Sequence, residues 1–345
     1  MARLPSRAIS AAPHLQRWVL NSLLSLVSVF VSLAIAELVV RRWAPQPSLS
    51  PRWNLSSAYC TLAFPSDRMV HELPGQWRFE YTTNADGHRG RDFELRPTAR
   101  SSIVVLGDSY AFGVGVNDGE EFPAVMQVSL PSVDVVNLSV GGWGLTQQIR
   151  RYYDKGASRQ PVAVVLQFSA NYPADDLNCP VTELQDGQFK FQDAPAGVLG
   201  IKRLLSHSSI QRSQLYNSVR HSIYNAVASR RIRKAREKLA SSSSSVPVED
   251  RVYIELLETF VSDLARDRIV VLFLTVDHQL SAFPAIETLV RRLDSEGRLR
   301  FIDGADLLQG MRDYSSPEGH LWGTDAHRVI GKELAKSLMR IIEEP

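Results

Sequence analysis

The chain has 345 residues, 44% hydrophobic and 22% charged, which is enough for a full core and excludes a disordered chain. Its two cysteines exclude a disulfide-dense scaffold and an all-cysteine zinc site. The net charge of +2 arises in residues 1–42, which hold five arginines and one acid; the other 34 basic and 36 acidic residues leave −2, which argues against a partner with a nucleic-acid backbone.

Residues 1–17 form a short basic tail, expected in the cytoplasm. Trp18–Ala36 carries no charge, and the apolar run extends to Val40 with only Glu37 interrupting it. A helix of about 20 apolar residues crosses a bilayer core. Trp18 and Trp43 flank the run, where interfacial aromatic rings are favoured. Two outcomes are open: an uncleaved signal-anchor over 18–40, or a signal peptide cut after Ala34-Ile35-Ala36. Flanking charge is nearly balanced, with Arg3, Arg7 and Arg17 facing Arg41, Arg42 and Arg52. Either outcome delivers the body beyond the cytoplasmic membrane. Cys60 and Cys179 are free to pair there, although sequence does not show their distance.

Residues 41–79 read as a linker and irregular segment, because prolines punctuate the chain from 44 to 100. A second unit is expected over 80–345. Its short apolar runs alternate with helical stretches. Strands are predicted at Ile103–Leu106, Val133–Val140, Val162–Ser169, Ile269–Val276 and Leu299–Asp303. Helices are predicted at Glu120–Leu130, Thr146–Tyr153, Arg251–Ala265, Ile286–Leu293 and 325–342. This alternation predicts an α/β fold with a parallel sheet covered on both faces. A helical insertion is expected at about 175–250; it carries a basic run, Arg230–Lys238, and the linker-like Ser241–Ser245.

In such sheets ligands bind beyond the carboxyl ends of the strands. The first strand ends at Ser109, the second at Gly142 and Gly144, and the third at Asn171. Past the fifth come Glu318 and His320. These groups suit acyl transfer. A serine hydroxyl needs an imidazole to take its proton. The imidazole needs a carboxylate to hold its tautomer. An oxyanion needs donors, here the N–H of Ser109 and Gly142 and the amide of Asn171. No spacing suggests a metal site.

The blocks Val104-Val105-Leu106-Gly107-Asp108-Ser109, Asn137-Leu138-Ser139-Val140-Gly141-Gly142-Trp143-Gly144, Asn171 and Glu318-Gly319-His320-Leu321-Trp322 resemble those of the SGNH hydrolases, or GDSL-type esterases and lipases. Asn84-Ala85-Asp86-Gly87-His88-Arg89-Gly90 resembles a segment that precedes the first block in one bacterial, membrane-anchored branch. The likeness spans about residues 80–344. It implies a flavodoxin-like three-layer sandwich with a five-stranded parallel sheet in order 2-1-3-4-5, here preceded by one transmembrane helix. It also implies Ser109 as nucleophile, His320 as base, an oxyanion hole of Ser109, Gly142 and Asn171, and no metal or cofactor. Two positions depart from the pattern. Glu318 stands where the family places an aspartate, with Asp313 a weaker substitute, and Tyr172 follows Asn171. His327 matches a second, structural histidine. Asp277-His278 ends the fourth strand on the same edge, as pocket lining or a satisfied loop.

The apolar run over 18–40 leads to the expectation of a single-pass bacterial inner-membrane protein whose catalytic domain faces the periplasm or the outside. The resemblance implies an ester hydrolase acting on small acyl esters, with O-acetyl groups of an envelope or exported polysaccharide as the expected substrate. The alternatives are a polysaccharide O-acetyltransferase with the same site and a non-catalytic glycan-binding module. No nucleic-acid partner is expected.

Overall fold

The computed structural model describes residues 12–50, 53–90, 101–194, 208–220, 222 and 246–343. Helix α1 (Ala12–Trp43) is unbroken. Its Arg17–Trp43 stretch has mean hydropathy 2.5 and leaves its apolar side chains exposed. It is long and apolar enough to cross a membrane, a description that a signal sequence also meets. Near its end, the Glu37 carboxylate accepts hydrogen bonds from Ser213 Oγ (2.9 Å) and the backbone N–H of Gln214 (3.0 Å) and Leu215 (2.8 Å). The apolar helix is thereby fastened to the insertion.

The segment expected to be irregular is built of strands. β1 (Ser48–Ser50), β4 (Arg68–Leu73) and β5 (Trp77–Thr82) form an antiparallel sheet in order β1-β4-β5. β2 (Asn54–Ser56) pairs with β3 (Cys60–Leu62). The boundary expected after residue 79 falls inside β5. The physical reason lies in residue spacing. Trp77, Phe79 and Tyr81 alternate with Arg78, Glu80 and Thr82, the period of a strand with one face on a core. Pro65 and Pro74 sit between strands, where a missing N–H breaks no ladder. Phe79, Tyr81 and Met69 pack against Phe112 and Val114, beside the first block.

The remaining elements follow the expected alternation. β6 (Ser101–Leu106) leads into the short α2 (Ser109–Phe112) and then α3 (Phe122–Ser129). β7 (Val133–Asn137), α4 (Leu145–Arg151), β8 (Pro161–Phe168) and α5 (Tyr172–Asn178) come next. The insertion begins in the last turn of α5; a hairpin, β9 (Thr182–Gln185) and β10 (Gln188–Phe191), interrupts the expected helical character, and α6 (Ser208–Gln211) follows. Its basic run and serine tract lie outside the described residues. α7 (Val248–Arg266), β11 (Val270–Thr275), α8 (Pro284–Ser295), β12 (Arg300–Asp303), α9 (Gly304–Leu307) and α10 (Thr324–Glu343) complete the chain.

Five of these strands form one parallel sheet in order β12-β11-β8-β6-β7. In chain order this is 2-1-3-4-5, as expected. Alternate residues of each strand serve opposite faces. Val104, Leu106, Val164 and Phe273 pack beneath α4, α7 and α8. Ile103, Val105, Val165 and Leu272 pack beneath α3 and α10. The result is a three-layer sandwich with two cores. Gly331 brings α10 onto α3; a Cβ there would meet Val125 Cβ at 2.6 Å.

Cys60 and Cys179 form a disulfide, with Cα atoms 6.3 Å apart and a sequence separation of 119. It ties the N-terminal strands to the end of α5. A cross-link closing so long a loop contributes about 2–4 kcal/mol. Cys179→Ser, or reduction of the wild type, is therefore expected to lower the thermal unfolding midpoint; an unchanged midpoint contradicts a stabilising bridge.

Candidate active site

β6 lies between β7 and β8 in the sheet, so the turns that follow these three strands are neighbours. Those turns carry Ser109, Gly142 and Asn171. Ser109 opens α2, whose cap is Asp108: its carboxylate accepts from Tyr110 N–H at 3.0 Å. Gly113 closes the helix in the left-handed region, at φ +84°. Gly142 also has positive φ, +77°, and a Cβ added there would meet no atom within 4 Å. The residue is exposed. Asn171 precedes α5, and its exposed side chain does not cap that helix.

His320 comes from the turn before α10. Its Nε2 lies 2.9 Å from Ser109 Oγ, and its Nδ1 lies 2.5 Å from Glu318 Oε1. An ionised Glu318 takes the Nδ1 proton as a hydrogen bond. That leaves the Nε2 lone pair to accept from the serine hydroxyl. Glu318, and not Asp313, supplies the carboxylate. Burial pushes the Glu318 carboxyl up, but the hydrogen bond and charge of His320, with the charge of His71, outweigh it and hold the group below its ordinary value of 4.5.

The glutamate reaches the imidazole by folding back on its own turn. The same oxygen also accepts from the His320 backbone N–H at 3.0 Å. Gly115 makes room for the longer arm: a Cβ there would stand 2.4 Å from Glu318 Oε1, and its φ is +89°. Ser316 Oγ donates to Gly115 O at 2.8 Å, and Tyr81 Oη accepts from Gly115 N–H at 3.0 Å. His71 Nδ1 meets the same Tyr81 hydroxyl at 3.0 Å.

Several supporting residues were not given roles from sequence. Arg89, fully buried, donates to the carbonyls of Phe112 (3.0 Å), Val116 (2.8 Å) and Gly113. It pairs with Asp118 at 3.1 Å and Glu121 at 3.5 Å. One guanidinium thus pins the loop from Phe112 to Val116. Its signal was present in the Asn84–Gly90 block. Asp108 is buried, and its carboxylate accepts from Ser169 Oγ at 2.6 Å, joining the turn of Ser109 to that of Asn171. Burial pushes its pKa up, against the hydrogen bonds it accepts. Asp176 on α5 accepts from Thr146 N–H on α4 at 2.8 Å, joining the helices that follow the turns of Asn171 and Gly142. Burial pushes Asp176 up to about 7. Asp directly before a serine in a turn reads only as a cap, so Asp108 gave no distinctive signal.

His327 stands apart from the relay. It is buried, accepts from Phe122 N–H at 3.2 Å, and burial pulls its pKa down to about 3, so it is neutral. Among the described residues no group of three or more His, Cys, Asp or Glu side chains is arranged to hold a metal ion.

No protein-family model matches the sequence, and no curated protein matches it. Solved structures similar to this chain include a candidate lipolytic protein of the G-D-S-L family from Desulfitobacterium hafniense DCB-2, at 12% identity over 69% of this chain and 99% of that one, TM-score 0.42. TesA is similar at 12% identity over 70% and 99% of the two chains, TM-score 0.42. The psychrotrophic esterase EstA from Pseudoalteromonas sp. is similar at 10% identity over 71% and 100%, TM-score 0.41. Likeness at this level leaves the role of each residue to its geometry.

Because Glu318 is held below 4.5, its ionised form adds stability that is complete above the unfolded value and is lost as pH falls through the folded one. The stability gap between wild type and Glu318→Gln is therefore expected to be widest near neutrality and to shrink in acid below 4.5. Thermal unfolding at a series of pH values checks this; a gap that widens in acid contradicts it.

Proposed function

We propose that this chain is an SGNH-type serine ester hydrolase, exported and held at the membrane by α1, acting on small acyl esters. The observation that carries the reading is the continuous relay from Ser109 Oγ through His320 to Glu318, at 2.9 and 2.5 Å. A nucleophile, a base and an orienting carboxylate in hydrogen-bond sequence are what acyl-enzyme chemistry requires.

In this reading Ser109 Oγ attacks the ester carbonyl while its proton passes to His320 Nε2. Glu318 stabilises the imidazolium that forms. The N–H groups of Ser109 and Gly142 and the Asn171 amide receive the charge on the carbonyl oxygen. The carbon–oxygen bond to the alcohol then breaks, and His320 returns the proton to the departing oxygen. Water, deprotonated by the same imidazole, attacks the acyl-serine and releases the acid.

Support for export comes from two features. The Cys60–Cys179 disulfide suits an oxidising compartment, and α1 is long enough to span a membrane. The substrate proposed from family resemblance is an O-acetyl group on an envelope or exported polysaccharide. The intact relay favours an enzyme over a non-catalytic glycan-binding module.

The test uses detergent-solubilised full-length protein and p-nitrophenyl acetate. Ser109→Ala and His320→Ala are each expected to lower kcat/KM by about 10³-fold or more, and Glu318→Gln by about 10²–10⁴-fold. Hydrolysis that survives either alanine substitution at the wild-type rate would sink the proposal.

A further inference from the structure

A hydrogen-bonded chain from the N-terminal sheet ends on the relay. In the β4–β5 hairpin Met69 pairs with Tyr81, His71 with Phe79 and Leu73 with Trp77, so these side chains share one face. Met69, Phe79 and Tyr81 of that face pack on Phe112 and Val114, in the loop after Ser109. His71 lies diagonally between Tyr81 and Trp77. Its Nδ1 is 3.0 Å from Tyr81 Oη, and its ring meets Trp77 edge-on with centroids 4.9 Å apart. Tyr81 is fully buried, and its hydroxyl meets Gly115 N–H and His71 Nδ1. Burial raises its pKa above the ordinary 10.0, so the phenol keeps its proton. Gly115 N–H donates to the oxygen, and the one hydroxyl proton needs an acceptor. Among the described residues that acceptor is His71 Nδ1. Neutral His71 therefore accepts on Nδ1 and carries its own proton on Nε2.

The far end of this chain touches both ends of the relay. Val114 N–H, one residue before Gly115, donates to Ser109 O at 2.8 Å. Ser316 Oγ donates to Gly115 O at 2.8 Å, and Ser316 N–H donates to His320 O at 2.8 Å. A Cβ on Gly115 would stand 2.4 Å from Glu318 Oε1, so its backbone borders the space that the carboxylate occupies. The place of Gly115 thus sets the spacing between the turn of Ser109 and the carboxylate of Glu318. Removing the acceptor at His71 leaves the buried hydroxyl proton of Tyr81 without a partner. The phenol must then turn or shift to find one, and its hold on Gly115 N–H loosens.

We propose that His71 is a positioning residue for the Ser109–His320–Glu318 relay, acting through the Tyr81 hydroxyl and the backbone of Gly115. The inference rests on the acyl-enzyme reading above and adds to it a residue from outside the α/β sandwich. His71 takes no part in the covalent steps. It fixes the hydroxyl that fixes the loop, and the loop spaces nucleophile from carboxylate. The hairpin of β4 and β5 is on this account part of the machinery of the enzyme, and its histidine is chosen for an acceptor at the δ position.

The test measures kcat/KM for p-nitrophenyl acetate on detergent-solubilised full-length variants, each well below its own thermal unfolding midpoint, so that lost folding is not read as lost rate. His71→Leu is close in size and accepts nothing. His71→Asn is smaller and places an amide oxygen near the site of Nδ1. His71→Leu and Tyr81→Phe are each expected to lower kcat/KM about tenfold, the value of one hydrogen bond, and His71→Asn to stay within about threefold of wild type. Adding His71→Leu to Tyr81→Phe is expected to cost less than about twofold more, because both changes break one path. A ring that only fills space would instead rank Leu above Asn, and its loss would multiply with that of Tyr81→Phe. That ranking, multiplying losses, or a His71→Leu enzyme within about twofold of wild type each overturn the inference. Should His71→Asn not fold, the cycle with Tyr81→Phe decides alone. Ser109→Ala is the control for the parent reading: if it still cleaves the ester at the wild-type rate, that reading fails, whatever the His71 variants do.

Discussion

A carboxylate buried beside an imidazole two positions along the chain governs the geometry of this site. Glu318 loses water on burial, which opposes its charge, and recovers the loss through the Nδ1–H and backbone N–H of His320. The exchange works only if the carboxylate is held at hydrogen-bond distance without room to swing. Gly115 gives the carboxylate its place, since a Cβ there would strike Glu318 Oε1, and the two His320 hydrogen bonds hold it. The serine, the glycine loop and the histidine turn are therefore one mechanical unit, although some 200 residues separate its ends in sequence, as the 201-residue span from Gly115 to Ser316 shows.

That unit is braced from outside the sandwich. Arg89 ties down the carbonyls between Phe112 and Val116, and Tyr81 receives the Gly115 N–H. Both residues precede the first strand of the parallel sheet. Trp53 lies against Gly141, and Trp143 donates to Thr61 O at 2.8 Å. The N-terminal strands thus support two of the turns that make the site. The disulfide adds a link from the same strands to the end of α5. Glu37 in turn couples the apolar helix to the insertion.

The sandwich was legible because its strands are continuous apolar runs and its helices carry apolar stripes, both strong periodic signals. The residues at the strand ends were legible for the same reason, since the topology rule places them on one edge. The N-terminal strands were not read. Prolines dominated the local signal, and the alternation of Trp77, Phe79 and Tyr81 with Arg78, Glu80 and Thr82 is only six residues long. Strand pairing across such short segments depends on tertiary contacts rather than propensity. The accommodation of Glu318 was hidden too. It depends on Gly115, and nothing local to either residue announces the contact. Asp108, Ser169 and Arg89 act through hydrogen bonds across distant turns, which periodicity does not encode.

The account turns on whether Ser109 is an activated nucleophile. The direct measurement treats the detergent-solubilised full-length protein with a fluorophosphonate and maps the adduct by peptide mass spectrometry. The account predicts a single covalent adduct on Ser109 that disappears in His320→Ala. An unlabelled wild type, or labelling of Ser109 at the same rate without His320, would contradict it.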